Sequence, residues 1–222
     1  KVPGIVQKVC QYCGLKNLNL ANDNPQDPNK LTIDAKTAGN HSDIDNLIAS
    51  CLFCNRLKND IPYDEWNNCI LPFFKGEKDL DLSKKSYSKN QAKIEEKSEV
   101  TTRTYPWQMM KRENPEKYLT NESARIKFCN LYVQQNGMCP YSKVPILYLQ
   151  PGYRLNASCD QVAPSNSSNH QLTLQCLNFA KNNLSCTEFQ NELKIRGFFQ
   201  NTHVKVILPE KYFNDSSFIY KM

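Results

Sequence analysis

Two Cys-x-x-Cys pairs, Cys10-Gln11-Tyr12-Cys13 and Cys51-Leu52-Phe53-Cys54, constrain this chain more than any other feature. Each pair makes a tight turn that aims two sulfurs at one point. Two such pairs together suit a closed four-thiolate site, tetrahedral and with no open coordination position. A zinc ion held there is a structural staple, and its binding is part of the folding energy of a small domain. Two disulfides, or a chance spacing, are the alternative readings of the same residues.

The remaining six of the ten cysteines are scattered: Cys69, Cys129, Cys139, Cys159, Cys176 and Cys186. They read as buried free thiols of a reducing compartment, which places the protein inside a cell, nucleus and cytoplasm undistinguished. Sequons such as those at Asn156 and Asn166 point the other way, but a chain rich in Asn and Ser produces them by chance. The net charge of +6 permits a nucleic-acid partner without requiring one. No apolar run approaches the roughly 18 residues needed to span a bilayer, so no membrane partner is expected. The longest such run, Cys69 to Phe74, is broken by Pro72.

Composition divides the chain into three zones. Residues 1–62 hold the paired cysteines. Residues 63–105 read as an extension and linker, dominated from Lys75 onward by mixed Lys, Glu, Asp and Ser. Residues 106–222 regain aromatic and aliphatic side chains and read as a second α+β domain with a C-terminal tail. Within the first zone, Leu31-Thr32-Ile33 is β-branched and alternating, which predicts a strand ending at Asp34. Ala38 to Ser42 is turn chemistry, and Asp43 or Asp45 can cap the next element, a helix or a short strand or turn before it. The run Cys54 to Lys58 predicts a helix stopped by Asn59-Asp60. In the last zone, Glu122 to Gln135 has a helical pattern ended by Asn136-Gly137. Ser185 with Glu188 three residues later is a capping box for another helix, with Phe189 and Leu193 on one face.

The order CQYC, LTIDA, DNLIAS, CLFCNRLK over residues 10 to about 60 resembles the HNH endonuclease family of the ββα-metal fold. The resemblance implies an α+β fold: a zinc-stapled ββα-metal domain acting on DNA. In that family one divalent cation, Mg or Mn, binds the scissile phosphate. Carried over, Asp34 is a cation ligand, Asn46 braces the loop and orients the base, and Asn55 is a second cation ligand or a phosphate contact. Lys36, His41, Arg56 and Lys58 become nucleic-acid contacts. The general-base histidine belongs at position 35, which is Ala35.

Alanine takes no proton, and loss of general-base catalysis costs about 10²–10⁴ in rate. Three readings of Ala35 stand open: an engineered substitution that traps an uncut complex, a natural inactive descendant, or His41 acting from the loop. Cleavage is therefore expected to be absent or impaired.

The last zone resembles a degenerate second copy of the same family. Setting Cys176 against Cys51 puts Cys139 at Cys10, Ser142 at Cys13 and Phe179 at Cys54, so the zinc site is lost. Asp160 is kept, Gln161 stands at the base position, Gln171 at the central Asn and Ala180 at the helix Asn. Three functional classes emerge: a metal-dependent DNA endonuclease of this type with Ala35 engineered or compensated, a zinc-stapled module that grips nucleic acid without cutting it, or a non-catalytic structural subunit built on a recruited nuclease fold. In the last class, the second domain and the tail would meet protein partners.

Overall fold

The computed structural model describes residues 2, 4–20, 24–37, 39–82, 121–146, 155–163, 169–200 and 203–207. The architecture is mixed α+β, with three separate two-stranded sheets among the described residues. The chain divides into two compact units, neither continuous in sequence: Lys1–Lys78 with Cys176–Val204, and Asp79–Gln175 with Lys205–Met222.

In the first unit, β1 (Leu31–Ala35) pairs antiparallel with β2 (Leu47–Cys51), Leu31 opposite Cys51 and Ala35 opposite Leu47. Strand alternation sends Asp34 inward and leaves Ile33 half exposed. Asp43 caps the 3-10 turn Ile44–Asn46, its Oδ1 accepting from Asp45 N at 3.0 Å. The chain then enters β2, so the capped turn precedes a strand and not a helix. Helix α1 (Leu52–Lys58) comes directly after β2, with Cys51 as its N-cap. It stops where Asn59 takes a positive φ of 50°.

Residues 63–74, placed in the extension by composition, are helical: α2 (Tyr63–Glu65), a π-helical turn (Trp66–Ile70) and α3 (Leu71–Phe74). Their apolar face explains this. Trp66, Ile70, Phe73 and Phe74 are all buried, Trp66 edge-on to Tyr12 at 5.8 Å and to Phe74 at 5.9 Å. Residues 83–105, the remainder of the expected linker, lie outside the described residues.

The first unit also holds most of the helix after β5. A cut at residues 62 and 105 does not reproduce this division, because Phe189 of that late segment stacks on Phe53 at 5.5 Å. Phe198 and Phe199 of the same segment contact Phe74 at 6.2 and 4.7 Å.

The second unit contains β3 (Leu80–Asp81), α4 (Asn121–Gln134), β4 (Ala157–Gln161), β5 (His170–Leu174) and, after the return of the chain, β6 (Val206–Ile207). β3 pairs parallel with β6, and β4 antiparallel with β5. Gln135, just after α4, holds β5 by both ends of its amide: Nε2 donates to Leu172 O at 2.8 Å and Oε1 accepts from Leu172 N at 2.7 Å. Phe128, Leu131, Leu172 and Leu174 are buried.

The remaining helices are α5 (Gln175–Lys181), which continues β5, and α6 (Cys186–Ile195). At α6 both halves of the capping box form: Ser185 Oγ accepts from Glu188 N at 3.3 Å, and Glu188 Oε2 accepts from Ser185 N at 2.8 Å. Phe189 and Leu193 are buried, as their four-residue spacing predicts. The C-terminal tail beyond Ile207 lies outside the described residues. Among the described residues no helix is long and apolar enough to cross a membrane.

Candidate functional site

The four paired cysteines converge. Their sulfurs all lie within 4.8 Å of one another, Cys13 Sγ and Cys51 Sγ at 4.0 Å, and all ten cysteines are free thiols. Local structure explains the convergence. Cys10 N donates to Leu15 O at 2.9 Å and Gly14 N to Cys10 O at 2.8 Å, a turn that Gly14 closes with a φ of +76°. Cys51 ends β2, and its sulfur accepts from Cys54 N at 3.4 Å.

A tetrahedral ion with metal–sulfur bonds near 2.3 Å sets sulfur–sulfur edges of about 3.8 Å, so this spacing and this all-sulfur donor set fit a structural metal such as zinc. Cys10, Cys51 and Cys54 have no exposed surface. Contacts with Cys13, then with Cys51 and Cys54, pull the Cys10 thiol strongly down toward thiolate, while burial pushes the Cys54 thiol well up. Four clustered sulfurs, three of them on fully buried cysteines, share negative charge poorly without a cation among them. Among the described residues no other group of three or more metal-ligating side chains assembles.

Asp34 sits in different chemistry. Tyr12 donates its hydroxyl to Asp34 Oδ2 at 2.6 Å, and Lys58 Nζ pairs with the same oxygen at 3.1 Å. Burial and the adjacent carboxylate push the Tyr12 phenol up, so it remains a donor. Lys58 is 3% exposed and also donates to Ala35 O at 3.4 Å and Asn59 O at 3.5 Å. Lys58 therefore does not face a DNA backbone. It lies four residues after the buried ligand Cys54, on the same side of α1, and so points inward.

Asn55 Nδ2 donates to Thr32 Oγ1 at 3.1 Å and Ile33 O at 3.4 Å, which orients the amide against β1. One carboxylate already held by a phenol and an ammonium is a poor donor set for Mg or Mn. The residues expected to bind that cation do not fit it as they stand. The Lys58 ammonium already supplies the positive charge at Asp34.

The loop between β1 and β2 is tied by Asn46. Its Oδ1 accepts from Thr37 N at 2.8 Å, and its Nδ2 donates to Thr37 O at 3.0 Å and Asn40 O at 2.6 Å. Lys36 Nζ donates to Asp45 O at 2.8 Å and lies 5.7 Å over the Tyr63 ring. His41 is exposed, and among the described residues no hydrogen bond or ion pair links it to Asp34. Arg56 Nη2 donates to Gln26 Oε1, and burial lowers its pKa. Ala35 is 7% exposed.

The β4–β5 pair repeats the register of β1–β2: Ala157 faces Leu174 as Leu31 faces Cys51, and Gln161 faces His170 as Ala35 faces Leu47. This corrects the sequence alignment by two residues. Leu174 and Leu177, not Cys176 and Phe179, correspond to Cys51 and Cys54. The helix Asn becomes Asn178 instead of Ala180, and the central Asn becomes Asn169 instead of Gln171. Lys181 corresponds to Lys58. The better anchor is the Lys-Asn pair that ends each helix, since Asn59 and Asn182 both have positive φ, 50° and 47°.

The turn before β4 repeats too: Cys139 N donates to Val144 O at 2.9 Å and Lys143 N to Cys139 O at 2.9 Å, with Lys143 at φ 56° where Gly14 stands in the first turn. Tyr141 donates to Asp160 Oδ2 at 2.7 Å, as Tyr12 does to Asp34. Cys139 Sγ meets Thr173 Oγ1 at 3.2 Å.

One residue of the site carries no local signal in the sequence. Arg196, 4% exposed and far along the chain, lies with its guanidinium carbon 4.4 Å over the Phe53 ring, inside the second Cys-x-x-Cys turn. Burial opposes its charge, but the sulfurs of Cys51 and Cys54, with Glu192, more than offset this and raise its pKa.

No protein-family model, curated protein or solved structure matches this chain.

Proposed function

We propose that this protein is an HNH-like, ββα-metal DNA-binding module, stapled by zinc, that grips DNA without cutting it. The observation that carries this reading is the state of Asp34. Its carboxylate is engaged by Tyr12 and Lys58, beside an alanine at the position of the expected base. A strand–loop–strand–helix segment with a four-cysteine staple, Asp34 at the strand end and Asn55 on the helix is what the resemblance calls for. The chemistry of hydrolysis is not. Phosphodiester cleavage needs a base and a cation on the leaving oxygen, and this site offers neither.

The loop cation Lys36 and the helix α1 cation Arg56, with exposed His41, are then the contacts to the backbone of DNA. Such binding is dominated by phosphate neutralisation, so it weakens steeply as salt rises. The test is a fluorescence-anisotropy titration of duplex DNA with zinc-loaded protein at stepped salt, with and without Mg²⁺. The reading expects salt-sensitive binding that Mg²⁺ does not strengthen. Undetectable binding at low salt, or binding indifferent to salt, sinks it. In that case the recruited structural subunit is the reading that survives.

A further inference from the structure

We infer that Arg196 is the counter-charge of the four-cysteine centre and the residue that fixes its second Cys-x-x-Cys turn. This inference rests on the metal centre alone and is independent of DNA binding.

Four thiolates around a divalent ion leave a net charge of about −2, here on cysteines of which three, Cys10, Cys51 and Cys54, have no exposed surface. Buried charge of that size needs compensation by cations or by hydrogen-bond donors. Arg196 is built into the place where both are supplied. Its guanidinium covers the face of Phe53, the residue just before Cys54. Nη2 donates to Asn29 Oδ1 at 2.7 Å and to Pro28 O at 3.2 Å. That same Pro28 carbonyl accepts from Phe53 N at 3.1 Å, and Lys30 O accepts from Leu52 N at 2.8 Å. The backbone of the metal turn and the arginine therefore share one anchor.

Glu192 holds the other arm: Nη1 donates to its carbonyl at 3.0 Å and pairs with its carboxylate. Nε is left buried with no acceptor among the described residues. A buried guanidinium N–H without an acceptor, on an arginine that covers the ring lying between the two cysteines of the second pair, is the arrangement of an outer-shell ligand partner. Arg196 is thus a positioning residue that couples metal binding to the late segment carrying α6, with Phe189 stacked on Phe53 beside it.

The test uses the full chain, metal affinity measured by competition with a chelator, and cobalt(II) in place of zinc as a spectroscopic probe. Arg196→Met keeps the stem but removes the charge. Arg196→Lys keeps the charge but loses the planar fork. Glu192→Gln removes the competing carboxylate. Arg196→Met is expected to weaken metal binding by about 10–100-fold and to shift the sulfur-to-cobalt charge-transfer band. Arg196→Lys should lose less, and Glu192→Gln should lose nothing. Wild-type affinity in Arg196→Met, or equal losses in all three variants, overturns the inference. If Arg196→Met folds poorly at ordinary zinc, saturating zinc should recover it. Failure to recover assigns Arg196 to packing and also overturns the inference.

Discussion

Cys51 stands opposite Leu31, where its sulfur joins three others, whereas Leu174 stands opposite Ala157 and offers no ligand. The two strand pairs share a register, a preceding turn and a tyrosine-to-aspartate hydrogen bond of 2.6 or 2.7 Å. They differ in what fastens the turn to the strands. In the first unit it is the four-cysteine cluster, whose spacing fits a structural metal. In the second it is the Cys139–Thr173 contact and buried leucines. The feature common to both is the aspartate held by a phenol. An aspartate kept in that bond, beside four clustered cysteines in one unit and without them in the other, serves as an organiser of the strand end.

The sharpest way to break this comparison is to remove the metal. Chelation, or Cys54→Ser, should abolish amide protection in β1, β2 and α1 while leaving that of β4 and β5 intact. Structural zinc sites contribute on the order of 10–16 kcal/mol, so hydrogen exchange read by mass spectrometry should separate the units clearly. Equal loss in both would show that the second unit depends on the first for its fold.

Next in size is Lys58→Met, which leaves Asp34 buried without its ammonium. Breaking a buried pair by removing one partner costs about 3–5 kcal/mol, read as a lowered denaturation midpoint of the zinc-loaded protein. A loss below about 1 kcal/mol would place Lys58 among weak surface pairs.

Glu65 gives a smaller, pH-dependent effect. Burial raises its pKa from 4.5 to about 7 in the fold. A carboxyl with a raised folded pKa contributes stability that is fully present below its unfolded pKa. That contribution is lost as pH rises toward about 7. Glu65→Gln should flatten the stability of the first unit across this window, by a few kcal/mol at most. An unchanged pH profile would contradict the burial of this carboxyl.

Smallest are the paired substitutions Tyr12→Phe and Tyr141→Phe. Each removes one donor to a buried carboxylate, worth about 1.5–3 kcal/mol for a charged acceptor. The matched Tyr-to-Asp distances predict similar losses in the two units, and a large inequality would mean that the second partners, Lys58 on Asp34 and Gln171 on Asp160, set the difference.

Much of the first unit is legible in the sequence because its signals are local. Cys-x-x-Cys spacing, the β-branched Leu31–Ile33 run, the Asp43 cap and the Ser185–Glu188 box each act within a few residues, where sequence and geometry are nearly the same thing. The inward side of Lys58 is legible too, but only once its distance of four from Cys54 is weighed against the expectation of a DNA contact. Arg196 is not legible at all, since nothing in the residues around it shows what it meets more than a hundred positions earlier. The helical run 63–74 is hidden by the charged segment behind it. A cysteine is the wrong anchor for aligning the two strand pairs, because the geometry they share lies in the Lys-Asn helix ends.

The central claim is that Asp34 is closed to a cation. The most direct measurement is plasmid cleavage by the Ala35→His protein, zinc-loaded, with Mg²⁺ or Mn²⁺. With Lys58 still seated on Asp34, supplying the missing base alone should give no nicking above the level of the unsubstituted chain. Metal-dependent cleavage by Ala35→His that is lost again in an added Asp34→Asn would contradict the claim and make this site a nuclease centre lacking only its histidine.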